Sequence, residues 1–408
     1  MKILFLSLVK VNSLSDRGIY TDLLREFVSQ GHHVTAVTPV ERRDSNSAKI
    51  EVEKGFTNLH VRTLNIQKTN FIEKGLGMLL IGRQFLRAIN SNLSGEKFDV
   101  ILYSTPPITL YSTVRKLKHS MNSHTYLLLK DIFPQNAIDM KMMKKDGILH
   151  KYFKSIERKL YNISDHIGCM SPANVNFIKE YHKYVSTDKI HVNPNSIEPI
   201  IQTISSKDRE LIRADYELPL DKSILVYGGN LGIPQGIDFL IEILENVKLE
   251  NVHYLIVGSG SEYQKLKNWC DQNKSDHVTL LKFLPKEKYD KLLSSCDIGL
   301  ILLNKNFLIP NFPSRLLSYL EMGLPVLSAT DPNTDIGDIL EYNKCGKKVL
   351  AGDVISFKTA LNELLSSSSK YQEYSNNAKK LLLQDYDVVN SVQIIVDRVE
   401  QVKFNQNV

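Results

Sequence analysis

Strand-like apolar runs alternate with helical segments from one end of the chain to the other, and this order limits the available folds more than any single residue does. KILFLSLV (2–9) precedes IYTDLLREFVSQ (19–30), and HVTAVTP (33–39), DVILYS (99–104), TYLLLKD (125–131) and HIGCMSP (166–172) follow. Short apolar runs bounded by turn residues, with helical periodicity between them, predict a parallel sheet covered by helices on both faces. The pattern breaks at IHVNPNSIEP (190–199), where Pro194 and Pro199 bracket a turn, and SSKDRELIRADYELP reads as a polar interdomain linker. It restarts at SILVYGG (223–229) and runs through HYLIVGSG, VTLLKF, CDIGLILL and LPVLSA to KKVLAG (347–352). At 408 residues the chain is too long for one ordinary core. The expectation is two α/β domains, 1–197 and 198–387, each a doubly wound parallel sheet, with a cleft between them. VVNSVQIIVDRVEQV begins an amphipathic C-terminal helix, 388–408, expected to pack back on the first domain.

Charge divides the halves. The first 200 residues hold 28 Lys+Arg and 18 Asp+Glu, net +10, and the remainder 23 and 27, net −4, which together give the +6 of the whole chain. In FIEKGLGMLLIGRQFLRAI (71–89) and KMMKKDGILHKYFKSIERKLY (141–161) bulky apolar residues alternate with lysine and arginine at helical intervals. Such faces suit either an anionic membrane surface or ordinary solvated helices packed on the domain. Nucleic acid is disfavoured, because these segments lack interleaved aromatics for base stacking. The longest apolar runs fall far short of the roughly 20 residues that span a bilayer. MKILFLSLVK ends at Lys10 without a small-residue cleavage site and reads as a first strand, so a cytoplasmic protein is expected. Cys169, Cys270, Cys296 and Cys345 show no paired spacing, and the D-x-D at Asp385 and Asp387 lies in a late connector, so neither a metal nor another cofactor is expected.

Three places carry candidate chemistry. In IPNFPSRLLSYLEMGLPVLS (309–328), Pro313, Ser314 and Arg315 stand where an irregular segment becomes a helix, which Gly323 and Pro325 end. A helix start offers unpaired N–H groups and the positive end of the dipole, and an arginine adds a fork that fits a diphosphate. A capped helix with a surface arginine reads the same way. After the strand at 223–229, Gly228, Gly229 and Gly232 allow close backbone approach to a ligand, a helix start near Gly236 points N–H groups at phosphate, and Asn230 and Gln235 can donate hydrogen bonds there. Simple turn-making is the other use of these residues. Neither this loop nor VKVNSLSDRG completes G-x-G-x-x-G, which argues against a dinucleotide. In the first half, Lys130 and Asp131 end the strand-like TYLLLKD; Asp131 can accept or orient a hydroxyl and Lys130 can meet a phosphate, or Asp131 caps the turn before Pro134. Arg17 and Gly18 lie in the loop after the first strand, placed to meet an acceptor.

Taken together, these motifs resemble glycosyltransferase family 4, whose members have two facing Rossmann-like domains in the GT-B arrangement. YGGNLGIPQGIDFLIEIL (227–244) looks like the family's glycine turn, VGSGSEYQKL (257–266), with Gly258 and Gly260, like its G-x-G-x-E segment, FLPKEKYDKLLSSCDIGLILL, with Leu284 and Lys286, like its base-binding turn, and PSRLLSYLEMGLPVL like its diphosphate helix. LLLKDIFPQNA (127–137) looks like the strand end that often reads His-Asp in the family. The nearest likeness is to bacterial enzymes that add an N-acetyl-6-deoxyhexosamine such as N-acetyl-L-fucosamine in capsule or O-antigen assembly. The resemblance implies a UDP-sugar donor on the second domain, a polyprenyl-diphosphate-linked saccharide acceptor on the first, retention at the anomeric carbon, no metal, and attachment to the inner face of the cell membrane through the basic helices. Where many members carry Arg and Lys this chain has Asn230 and Gln235, leaving Arg315 to neutralise the departing diphosphate. The family's E-x7-E glutamates fall on Pro310 and Ser318; Ser318, or Glu321 one turn on, then remains to meet a sugar hydroxyl. A nucleotide-sugar epimerase of the same layout and a non-catalytic scaffold of a polysaccharide-assembly complex are the alternatives.

Overall fold

The computed structural model describes residues 1–44, 49–66, 69, 71–201 and 204–406, with the backbone alone for 71, 72 and 402–406. The chain forms two compact units, 1–198 with 388–408, and 199–387. In the first, eight strands form one sheet: β1 (Lys2–Leu6), β2 (His33–Glu41), β3 (Lys49–Glu53), β4 (Phe56–Thr63), β5 (Val100–Ser104), β6 (His124–Leu129), β7 (His166–Cys169) and β8 (Ile190–Val192), in the order β3-β4-β2-β1-β5-β6-β7-β8. All neighbours are parallel except β3, which pairs antiparallel with β4 at the sheet edge. The β3–β4 ribbon is not anticipated by the alternation above, and β8 lies within the segment read as a break. Its three residues are too few to show a period.

Alternate residues of the central strands point to one face: Ile3 and Phe5, Val34 and Ala36, Val100 and Leu102, Tyr126 and Leu128. They meet Leu23, Leu24 and Phe27 of the helix Ile19–Ser29 and Val392, Ile395 and Val399 of the helix Val388–Gln406, so the C-terminal segment completes the core of the unit in which the chain begins. The last two residues of the helix expected over 388–408 lie outside the described residues.

The second unit holds β9 (Ser223–Asn230), β10 (Val252–Ser259), β11 (Val278–Leu281), β12 (Ile298–Leu302), β13 (Val326–Thr330) and β14 (Gly346–Leu350), all parallel, in the order β11-β10-β9-β12-β13-β14. Strand order reverses at β9, so connecting helices leave to opposite faces there and a crevice opens beyond the carboxyl ends of β9 and β12. The polar stretch read as a linker is part of this unit. Its helix, Ser206–Asp215, is held by buried Arg213, which donates to Asp297 Oδ2 (2.6 Å) and to the carbonyl of Ser295 (2.9 Å). Among the described residues no helix is long and apolar enough to cross a membrane.

Candidate active site

The helix Arg315–Glu321 begins beside the carboxyl end of β9, and its first side chain turns inward. The Arg315 guanidinium lies 4.3 Å above the Tyr227 ring. Its Nη2 stands 3.6 Å from where a side chain on Gly229 would begin; Gly229 has φ +120°, a conformation that glycine adopts without strain. Tyr319, fully buried on the same helix, accepts from the Gly228 N–H (3.2 Å) and faces the carbonyls of Val226 and Leu300 (3.2 Å each). Burial pushes the Tyr319 phenol up to about 12, so it stays neutral beside the cation. Among the described residues no carboxylate pairs with Arg315, and its buried Nη1 has no hydrogen-bond partner. A guanidinium cannot shed its charge at any physiological pH. An unspent buried donor on a cation is costly in a sealed interior, and an anionic oxygen would satisfy both charge and donor.

The glycine turn is built differently from its expectation. The space a side chain at Gly228 would need is taken by the Tyr289 phenol, and those of Gly258 and Gly260 by the carbonyls of Gly229 and Leu231. Gly228 thus lets the helix Lys286–Leu293 approach β9, and Gly258 and Gly260 let β10 and its loop close on β9 and its loop. Asn230 donates to Gln235 Oε1 (2.9 Å), which also accepts from the Gly232 N–H (3.2 Å), so the Asn230 donor expected to face phosphate braces the turn. Gly236, φ +62°, opens the helix Ile237–Asn246 at the predicted place.

Other expected residues have other partners. Glu321 is buried, and its Oε1 accepts from the Ile200 N–H (2.8 Å), which ties it to the chain's entry into the unit instead of a sugar hydroxyl. Lys286, exposed at the start of the helix Lys286–Leu293, pairs with Asp290 (2.8 Å), while Leu284 is half-buried two residues before it. Pro313 and Ser314 start the Arg315 helix through carbonyls that accept from Leu316 (3.2 Å) and Leu317 (3.1 Å), and no side chain caps it. Ser318 is half-buried on that helix. The sequence reading passed over the buried turn at Asp331, whose carboxylate accepts from the Asn333 and Thr334 N–H groups (2.9 and 3.0 Å). Thr334 Oγ1 accepts from Asn311 N (3.0 Å) and Asn333 donates to the Phe307 carbonyl (2.8 Å), which fixes the loop leading into Arg315. The signal was present in Asp-Pro-Asn-Thr, four residues that favour an Asx turn.

In the first unit Lys130 and Asp131 follow β6 directly. The Lys130 N–H donates to Thr105 Oγ1 (3.1 Å), and Asp131 Oδ2 accepts from Asn136 Nδ2 (2.6 Å), so the carboxylate braces the turn over Pro134 without capping the following helix through its side chain. Burial pushes the Asp131 carboxyl up to about 6 and pulls the Lys130 ammonium down to about 7. Lys130 lines a cavity of about 10 Å³, room for one water, with Tyr20, Asn193, Asn195, Ser196 and Ser391. The Oδ1 atoms of Asn193 and Asn195 are buried without hydrogen-bond partners among the described residues. Arg17 turns elsewhere: its Nη2 donates to the Glu198 carbonyl (3.0 Å), while the Gly18 N–H donates to Asp22 Oδ1 (3.1 Å). Both help hold the end of the unit to the helix Ile19–Ser29.

The Asp131 shift predicts a pH dependence. A carboxyl with a folded pKa above its unfolded value binds protons more tightly when folded, so stability falls as pH rises from about 4 to 6, and the cost is fully present above 6. Asp131→Asn, which keeps an oxygen to accept from Asn136, should raise the melting temperature at pH 7.5 by about 2–4 °C and leave it unchanged near pH 4. Melting curves of both proteins at the two pH values test this.

Against known proteins, residues 19–199 match the family described as Glycosyltransferase Family 4, and residues 208–381 that described as Glycosyl transferases group 1. Its two units are glycosyltransferase domains. Over 301 residues the glycosyltransferase is 20% identical to WbjE of Pseudomonas aeruginosa, described as a probable glycosyltransferase, covering 73% of each chain. Over 358 residues it is 24% identical to WcaI of Escherichia coli K12, a glycosyl transferase assigned to colanic acid biosynthesis, covering 84% of this chain and 86% of that one. In structure it is similar to sucrose-phosphate synthase of Thermosynechococcus elongatus (TM-score 0.78, 14% identity, 99% of both chains). HepE of Anabaena in complex with UDP-glucose is another such structure (TM-score 0.70, 14% identity, 98% of this chain and 100% of that one). These likenesses show the GT-B class of two parallel-sheet α/β domains.

Proposed function

We propose that the protein transfers an N-acetylated 6-deoxyhexosamine, such as N-acetyl-L-fucosamine, from its UDP-sugar to a saccharide carried on polyprenyl diphosphate, in the assembly of a bacterial capsule or O-antigen at the inner membrane face. The observation that carries the donor half is half-buried Arg315, whose buried Nη1 has no partner among the described residues, at the carboxyl end of β9. UDP-glucose in the HepE complex and the assignment of WcaI to colanic acid biosynthesis support the nucleotide and the polysaccharide setting.

In this reading the acceptor hydroxyl attacks the anomeric carbon on the face from which UDP departs. The carbon–oxygen bond to the diphosphate breaks, the leaving phosphate oxygen takes the acceptor proton, and configuration is retained. Negative charge grows on the diphosphate as the bond breaks, so Arg315 contributes most in the transition state. Lys130, its ammonium pulled down by burial to about 7 and so about half protonated at pH 7, would meet a phosphate when charged, and Asp131 would orient the acceptor hydroxyl. No metal takes part.

The test combines purified protein, a panel of UDP-sugars that includes UDP-N-acetyl-L-fucosamine, and a polyprenyl-diphosphate N-acetylhexosamine without added metal, reading UDP release, product mass and the anomeric proton coupling. Acceptor-dependent release with a retained anomer supports the proposal. Release or isomerisation without acceptor would point to an epimerase, and absence of UDP binding to a scaffold.

A further inference from the structure

Alternation along β6, carried one residue past its end, turns Lys130 to the face of Tyr126 and Leu128, which the helices Ile19–Ser29 and Val388–Gln406 cover. Its cavity is accordingly walled by Tyr20 and Leu23 of the first helix and Ser391 of the second. A half-buried ammonium in that layer has lost much of its hydration, and among the described residues no carboxylate pairs with it. The ionisable groups around it supply no negative charge at pH 7. Burial pushes the Cys169 thiol on β7 up to about 12 and the Tyr20 and Tyr126 phenols above their ordinary range, and pulls the His191 imidazole, behind Tyr126, down to about 4. Arg398 adds positive charge on the His191 side, and Asp131, next in the chain, is turned to Asn136.

What the cavity offers instead is amide oxygen. Gly168 on β7 leaves room for the Tyr126 phenol to pass over that strand, since a side chain there would begin 2.8 Å from Tyr126 Oη and 2.9 Å from Asn193 Cβ. Beyond β7, Asn193 Nδ2 donates to Tyr126 Oη (2.8 Å), which lies 2.6 Å from His191 Nε2. With its amino group spent on Tyr126, Asn193 is left with Oδ1, buried and without a partner among the described residues, and Asn195 Oδ1 is in the same condition. Both asparagines line the cavity with Lys130, Asn193 1% exposed and Asn195 7%. Lys130 bonds to neither oxygen directly. An ammonium only donates and an amide oxygen only accepts, whereas a water does both, and the cavity has room for one.

We propose that Asn193 and Asn195 are positioning residues for Lys130: together they hold one buried water that accepts from its ammonium and donates to their two Oδ1 atoms, which keeps the side chain charged and fixed beside the carboxyl end of β6. The use of that charge rests on the reading in which Lys130 meets a phosphate.

The full chain, with lysine labelled at Cε with carbon-13 and the Lys130 signal identified by its loss in Lys130→Arg, gives the Lys130 titration directly by NMR. Asn195→Leu, close in volume, removes the oxygen and should lower the proton affinity of Lys130 about tenfold. Asn195→Asp puts a carboxylate in the same place and should raise it about tenfold or more. Loss of packing alone does not move one titration in opposite directions. A long-lived water should show nuclear Overhauser contacts to the side-chain amides of Asn193 and Asn195 in wild type, and its absence would overturn the proposal. So would a Lys130 titration that is unchanged in both variants or moves the same way in both; if Asn195→Leu fails to fold, Asn195→Asp decides alone. Turnover should fall as pH rises through the Lys130 midpoint, earlier in Asn195→Leu and later in Asn195→Asp. If the two titrations part as expected but no acceptor supports turnover, the seat of Lys130 stands and the transferase reading falls.

Discussion

Arg315→Ala is expected to lower kcat by about 10²–10³-fold, while the dissociation constant for UDP rises far less, by about tenfold. The asymmetry follows from where the charge is. In the bound donor the diphosphate shares its charge with the sugar ester, whereas in the transition state the β-phosphate oxygen carries what the breaking bond releases, and the guanidinium stacked on Tyr227 is already in place to receive it. Arg315→Lys keeps a charge but loses the planar fork and the ring contact, so it should fall between the two. Steady-state kinetics with calorimetric UDP titration separate the effects, and matched melting temperatures guard against misfolding. An unchanged kcat in Arg315→Ala would remove the central claim. A loss seen only in UDP affinity would make Arg315 a binding residue without a transition-state role.

Gly258→Ala should be the most damaging single methyl in the second unit. Gly258 sits opposite Gly229 in the β9–β10 register, and an added Cβ would overlap the Gly229 carbonyl oxygen. The obstacle is backbone within a parallel sheet, which can yield only by parting the strands that also position Gly228 and Asn230. Overpacking of this kind costs about 3 kcal/mol or more, which lowers the melting temperature of a unit this size by about 6–12 °C. UDP binding should weaken in parallel. Gly75→Ala is the control: nothing lies within 4 Å of its added Cβ and its φ is ordinary, so melting should not fall. Differential scanning calorimetry of both variants decides, and a Gly258→Ala melt within 1 °C of wild type would refute the close-approach account.

Much of the fold was legible because apolar period is a local property. Runs such as SILVYGG and CDIGLILL need only their own residues to declare a buried strand, and β9 and β12 lie where those runs predict. The edge ribbon β3–β4 was not, since its exposed edge strand, KIEVE, relies on a neighbour and not on its own burial. The glycine turn was legible, but what its glycines pack against was not. Gly228 and Gly258 stand near the carboxyl ends of β9 and β10 and Gly260 just beyond β10, and what forbids a side chain at each is Tyr289 or a neighbouring carbonyl brought there from elsewhere in the chain.

What the chain order determined alone is the class of fold and the position of Arg315 at a helix start, because strand and helix periods, proline breaks and glycine stops act over a few residues. Which side chains are spent and which remain available was decided by tertiary structure. Asn230, Gln235 and Glu321 look as free to bind as Arg315 in the sequence, but the first two are joined to each other and Glu321 to the Ile200 N–H. Arg315 alone of these four keeps a buried donor without a partner among the described residues, and that distinction depends on what the fold packs around each group.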